Sequence, residues 1–185
     1  RVMGKRIKAL TPSLINFINE QHLFFVSTAM AEGTINLSPK GMDAFRVIDP
    51  SKVIWLNLTG SGNETATHLQ HNPRMTVMFC AFEGKPLILR LYGQARIFHP
   101  RDTEYKAYLP HFPETPGSRQ IIEMDIDLVQ SSCGMAVPLM QYLEDRQLLA
   151  DWARNKGQEG LQEYLSQKNR VSLDGHDTGI FGSNK

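Results

Sequence analysis

The first apolar positions recur at helical spacing, Leu14, Ile15 and Ile18, behind Thr11-Pro12. Threonine there supplies an N-cap oxygen, and proline suits the first helical position because its missing N–H has no partner in that turn. The pattern then changes to runs rich in β-branched and aromatic residues: His22–Met30, Thr34–Ser38, Val53–Leu58, Met75–Phe82 and Leu87–Phe98. Each run predicts a strand. A sixth is predicted at Ile121–Gln130, where Ile122, Met124, Ile126 and Leu128 alternate with Glu123, Asp125 and Asp127. Ala31-Glu-Gly33, Asp49-Pro-Ser-Lys52 and Glu83-Gly-Lys-Pro86 supply turn chemistry between strands.

Between the third and fourth runs, Ser61 and Glu64 have capping-box spacing, which predicts a short helix ended by Asn72-Pro73. Residues from about 142 to 168 read as helix interrupted near Gly157 and Gly160, and the tail from Val171 reads as loop. Six antiparallel strands joined by hairpins, without a helix after each strand, predict a mainly β (α+β) small barrel rather than a parallel sheet.

Composition narrows the setting. The 185 residues suit one domain over 1–185, and a net charge of +1 gives no electrostatic reason for a nucleic-acid partner. No apolar run is long enough to span a membrane. The basic start Arg1-Val-Met-Gly-Lys-Arg6 has no apolar signal core behind it. Only Cys80 and Cys133 occur, with no Cys-x-x-Cys pair, so a reduced, cytoplasmic protein is expected. The six histidines show no metal-ligand spacing beyond His68 and His71, and no metal is expected. Cys133 reads as a small packed residue.

The candidate chemistry lies in Asn36-Leu-Ser-Pro-Lys-Gly41, Phe45-Arg-Val-Ile48 and Gly60-Ser-Gly-Asn-Glu-Thr65. Pro39 cannot donate to a ladder and marks a strand end or edge, so Lys40 can point into a groove toward an anion, or stand exposed in a turn. Arg46 suits a phosphate by its forked donors, or a salt bridge to Asp43 or Asp49. The turn into the helix offers free N–H groups and hydroxyls, a natural anion nest, or else a flexible turn capped by Ser61. Glu64 opposes an anion there by charge.

With Asn72-Pro73, Leu89-Arg-Leu-Tyr-Gly93, Ser132-Cys-Gly134, Val137-Pro138 and Asn169-Arg-Val-Ser-Leu-Asp-Gly175, these segments resemble the pyridoxamine 5'-phosphate oxidase-like family of FMN-binding split barrels, in a shorter subgroup. The resemblance implies a six-stranded split barrel over about 20–133 with a helical extension over about 140–170. It also implies a homodimer with FMN between the subunits. It assigns FMN-phosphate contacts to Arg46 and Thr59, backbone contacts with the flavin ring to Val47 and Ile48, and further cofactor contacts to Ser38, Lys40, Asn63 and Thr65. Asn63, Glu64 and Thr65 stand where the true oxidases have Ser, Arg and Lys, and no Arg-x-His motif follows. The implied function is an FMN-dependent oxidoreductase of unknown substrate, for which pyridoxamine phosphate is not the expected substrate. A flavin-storing or flavin-sensing protein is the alternative, and a haem or deazaflavin relative is a third reading.

Overall fold

The computed structural model describes residues 4–182, so Arg1–Met3 of the basic start lie outside the described residues. Eight strands form one antiparallel sheet: β1 (Arg6–Ile7), β2 (Phe24–Thr28), β3 (Asn36–Lys40), β4 (Phe45–Asp49), β5 (Lys52–Leu58), β6 (Arg74–Cys80), β7 (Ile88–Phe98) and β8 (Ser118–Ser132). Their order is β3-β2-β6-β7-β8-β5-β4, with β1 paired to β8 at Arg6–Gln130 and Ile7–Val129. The helices are α1 (Pro12–Asn19), α2 (Glu64–His71), α3 (Thr103–Tyr108) and α4 (Leu148–Lys168), with a single 3-10 turn at Leu109–His111.

Two strands exceed the six expected. β1 has two residues and is too short to show a period. β4 is the segment that carries Arg46, Val47 and Ile48. α1 starts as predicted, with the Leu14 N–H reaching Thr11 Oγ1 at 3.4 Å.

The sheet coils on its inner face. Phe24 of β2 and Phe45 of β4 lie near opposite ends of the strand order, yet their ring centres are 4.9 Å apart, and Phe45 also meets Phe79 of β6 at 5.1 Å. Val26, Val53, Trp55, Val77, Leu89, Leu91, Ile122 and Met124 fill the space enclosed. The other face of β5 packs Ile54 and Leu56 against Ile121, Tyr105 and Phe112. Buried on both faces, β5 is an uninterrupted apolar run from Val53 to Leu56.

Two bulges alter the simple alternation of β8. Tyr92 pairs with Leu128 but Gly93 with Ile126, so Asp127 is an extra residue. The phase therefore shifts, and Val129, not the expected Leu128, enters the core. Gly93 is required at this bulge, because a Cβ there would lie 2.0 Å from the Asp125 carbonyl oxygen. At the other end, Asn57 pairs with Gln120 but Leu58 with Ser118, leaving Arg119 as the extra residue.

Other expectations are corrected. The Ser61–Glu64 capping box does not form: α2 starts at Glu64 with Asn63 as N-cap and no side-chain cap. Glu64 Oε1 instead accepts the Leu173 N–H at 3.0 Å. α4 starts at Leu148 rather than near 142. Before it, Tyr142 is stacked on His22 at 3.6 Å, and its N–H reaches Glu83 Oε1 at 3.2 Å. Those contacts tie the segment before α4 to the β6–β7 turn. α4 breaks at Gly157, whose φ of 64° and ψ of 180° leave the helical region, while Gly160 stays inside it.

The segment after α4 is a loop, as expected, but it is tied to α2. Asp177 O accepts from Thr67 Oγ1 at 3.4 Å and Gln70 Nε2 at 3.1 Å, and Asn169 Nδ2 donates to Gly60 O at 2.9 Å. This arm encloses the region where β3, β5 and α2 meet.

Candidate functional site

Alternation along β3 turns Asn36, Ser38 and Lys40 to one face and leaves Leu37 and Pro39 exposed on the other. Asn36 Nδ2 donates to Thr28 Oγ1 and to Thr65 Oγ1, both at 3.1 Å, and Ser38 Oγ donates to Asn36 Oδ1 at 3.3 Å. Ser38 and Thr65 are thus joined through Asn36. Thr28 Oγ1 lies 3.1 Å from His68 Nδ1, which ties α2 to β2. Lys40 Nζ sits 5.3 Å from the Trp55 ring centre, spanning the gap between β3 and β5. Burial, and then the positive charge of Arg119, bring its pKa down to about 8.

Thr59 follows β5 and turns its hydroxyl to Gly117 O at 2.9 Å. Beyond it, a Cβ built on Gly60 or Gly62 would meet nothing within 4 Å, so the turn faces open space. Asn63 is 3% exposed, and neither polar atom of its side chain has a protein partner. An amide so placed costs stability unless something else bonds to it.

Arg119 is the main residue that sequence reasoning missed. Its bulge aims it under the same turn, where Nη1 donates to Gly62 O at 2.9 Å and Asn169 Oδ1 at 2.5 Å. The side chain is buried, and its Nε has no partner. Desolvation brings its pKa down to about 10. Among the described residues, neither Lys40 nor Arg119 forms a salt bridge. Two neighbouring cations withdrawn from water without an ion pair raise the local potential, opposed by the Glu64 carboxylate at the start of α2.

Arg46 does not join this group. It projects from the opposite face of β4 to Phe45, over the Phe112 ring at 5.1 Å. Its Nη1 and Nη2 grip the Asp43 carboxylate at 2.7 and 2.9 Å, and the carbonyls of Asp43, Phe45 and His111 accept its remaining donors. The Asp43 salt bridge is therefore the arrangement present. Among the described residues β4, with Val47 and Ile48, pairs only with β5, and the Phe45 carbonyl on its other edge already accepts from Arg46. A cavity of about 260 Å³ beside this strand is lined by His22, Phe24, Phe45, Arg46 and Phe79. Cys133 is exposed rather than packed, on a cavity of about 960 Å³ that also touches Phe17, Leu87 and Met135.

No helix among the described residues is long and apolar enough to cross a membrane. Coiled antiparallel strands around an apolar interior define a split barrel in architecture. A family model described as pyridoxamine 5'-phosphate oxidase matches residues 10–133, more than half of the chain, and the protein belongs to that family. It is 38% identical over 188 residues to the pyridoxamine 5'-phosphate oxidase family protein ustO of Aspergillus flavus, covering 91% of this chain and 75% of that protein. Among solved structures, Group A Streptococcus HupZ shares the fold with a TM-score of 0.51 at 22% identity, over 64% of this chain and 91% of that one. A protein from Lactobacillus delbrueckii of the pyridoxamine 5'-phosphate oxidase type also gives 0.51 at 22% identity, over 66% of this chain and 98% of that one. At such identities the likeness is one of fold.

Proposed function

We propose that this protein binds FMN where β3, β5 and the start of α2 come together, and acts as an FMN-dependent oxidoreductase. The observation that carries this reading is the buried Asn63 amide, without protein partners, at a turn open to ligand and near the uncompensated ammonium of Lys40. Those groups fit a phosphate: a helix start offers N–H donors, and a partly desolvated cation gains by meeting an anion.

Lys40, Thr59, Asn63 and Thr65 would hold the phosphate, with Ser38 fixing Asn36 behind Thr65. Val47 and Ile48 would offer their β4 backbone to the ring. Arg46, which the family resemblance also assigns to the phosphate, would have to exchange Asp43 for the ligand. When bound, the flavin supplies the electron-transfer chemistry, and the chain supplies orientation and hydrogen bonds. The apolar side chains exposed on and beside β3, Ile35 and Leu37, support a homodimer with the cofactor near the subunit boundary.

Titration of the purified chain with FMN, followed by flavin fluorescence, tests the binding; no change at any concentration rejects it. Bleaching of the bound flavin by a reduced nicotinamide nucleotide, and its recovery with an acceptor, then distinguishes an enzyme from a flavin carrier.

A further inference from the structure

Glu64 and Thr65 bring no cation to the start of α2, so a phosphate there would have Lys40 as its nearest charge on β3. The β8 bulge adds another. Arg119 is 4% exposed, and its two recorded bonds, to Gly62 O and Asn169 Oδ1, both use Nη1. The edge formed by Nε and Nη2 has no acceptor among the described residues, with Nε shielded from water. A guanidinium edge of this kind matches two oxygens of a phosphate, and leaving its buried Nε unbonded is costly. Asn63 adds a second, independent side chain that is buried and unpartnered at the same turn.

We infer that Arg119, aimed by its bulge and braced by Asn169 of the C-terminal arm, is the second cation of a phosphomonoester site that it forms with Lys40 and Asn63. The site's existence is argued from these residues; only the identity of the phosphomonoester as FMN rests on the proposed function. Asn169 is fully buried, and it spans from Arg119 to Gly60 O at 2.9 Å. The arm therefore sets both the cation and the turn. Glu64 keeps its charge beside the turn, with Oε1 bonded to the Leu173 N–H and Oε2 buried without a partner, so Lys40 and Arg119 together must outweigh it.

The test compares FMN with riboflavin, which lacks the phosphate, in the wild type and in Arg119→Gln. The wild type should bind FMN about tenfold or more tightly than riboflavin, the worth of one charge-assisted hydrogen bond. Arg119→Gln should cut the FMN advantage about tenfold while leaving riboflavin affinity unchanged, with Lys40 supplying what remains. A merely structural arginine would lower both together, and that result, or an intact FMN advantage, overturns the inference.

Asn169→Asp provides a second variant that does not remove the buried cation. It places a carboxylate against Arg119 and gives up the bond to Gly60 O, so it should reduce the FMN advantage by a larger factor than it changes riboflavin affinity. A retained advantage in that variant also overturns the inference. If the wild type binds neither flavin, the flavin reading fails, and inorganic phosphate then decides the site. Phosphate should raise the melting temperature of the wild type above that in chloride of equal ionic strength, and should do so less in Arg119→Gln. Equal shifts, or none, reject the site.

Discussion

Raising the pH through 8 should release FMN while leaving riboflavin bound. Burial, with Arg119 second, lowers the Lys40 pKa to about 8. Below that pH the ammonium is present in both free and bound protein, and affinity is flat. Above it the free protein has lost the proton, which must be taken up again when a phosphate binds. FMN affinity then falls by up to about tenfold per pH unit until the bound-state pKa is reached. If the phosphate restores an ordinary lysine pKa of about 10.4, the full difference is roughly two units, or about 3 kcal/mol. The phosphate itself does not add to this slope, because its second proton is lost near pH 6. Arg119, with a pKa of about 10, stays largely charged through the window. The assay is flavin fluorescence titration from pH 7 to 9.5 with FMN and riboflavin, on the wild type and Lys40→Met. The ratio of affinities should collapse with pH in the wild type and start low and flat in the variant. A constant ratio in the wild type, or the same slope in Lys40→Met, refutes the assignment.

Asp43→Asn should tighten FMN binding several-fold without affecting riboflavin, since it frees the Arg46 guanidinium now held at 2.7 and 2.9 Å; paired titrations check this. Glu123→Gln should cost about 2 kcal/mol at pH 7 by urea denaturation at fixed protein concentration. Its buried carboxylate bonds to the Tyr108 hydroxyl, Arg96 and Lys52, although the two cations keep Asp125 at 2.9 and 3.5 Å and are partly solvated, which limits the loss. Burial works against its charge, but those three partners outweigh it and hold the carboxyl below the usual range. The stabilisation is therefore complete above the unfolded carboxyl pKa of about 4.3 and is lost as the pH falls through the lower folded value, so the gap to the variant should shrink in acid. Gly93→Ala should destabilise by about 3 kcal/mol or more, because its Cβ would meet the Asp125 carbonyl at 2.0 Å; a thermal melt within 2 °C of wild type would contradict the bulge geometry.

Side-chain period carried the sequence reading as far as the ladders stay regular. β8 alternates as expected from Ile122 to Ile126, then fails at Leu128 because the Asp127 bulge changes its phase. A bulge depends on pairing with strands remote in sequence, which is why Arg119 was also hidden: nothing near it in the chain distinguishes it from a surface arginine. Lys40 was legible, since Pro39 marked an edge strand and β3 is indeed at one end of the sheet. For Arg46 the sequence allows a phosphate or a salt bridge to Asp43 or Asp49, and the structure shows the bridge to Asp43. The Ser61 capping box had the right spacing but lost Glu64 to Leu173, a competitor 109 residues away. Asn169 could not be placed from sequence for the same reason.

The most direct measurement is the spectrum of the purified chain after incubation with FMN and removal of free flavin by gel filtration. The account predicts a yellow protein whose released cofactor is identified chromatographically as FMN, at close to one per chain. A colourless protein that FMN cannot reconstitute would contradict it.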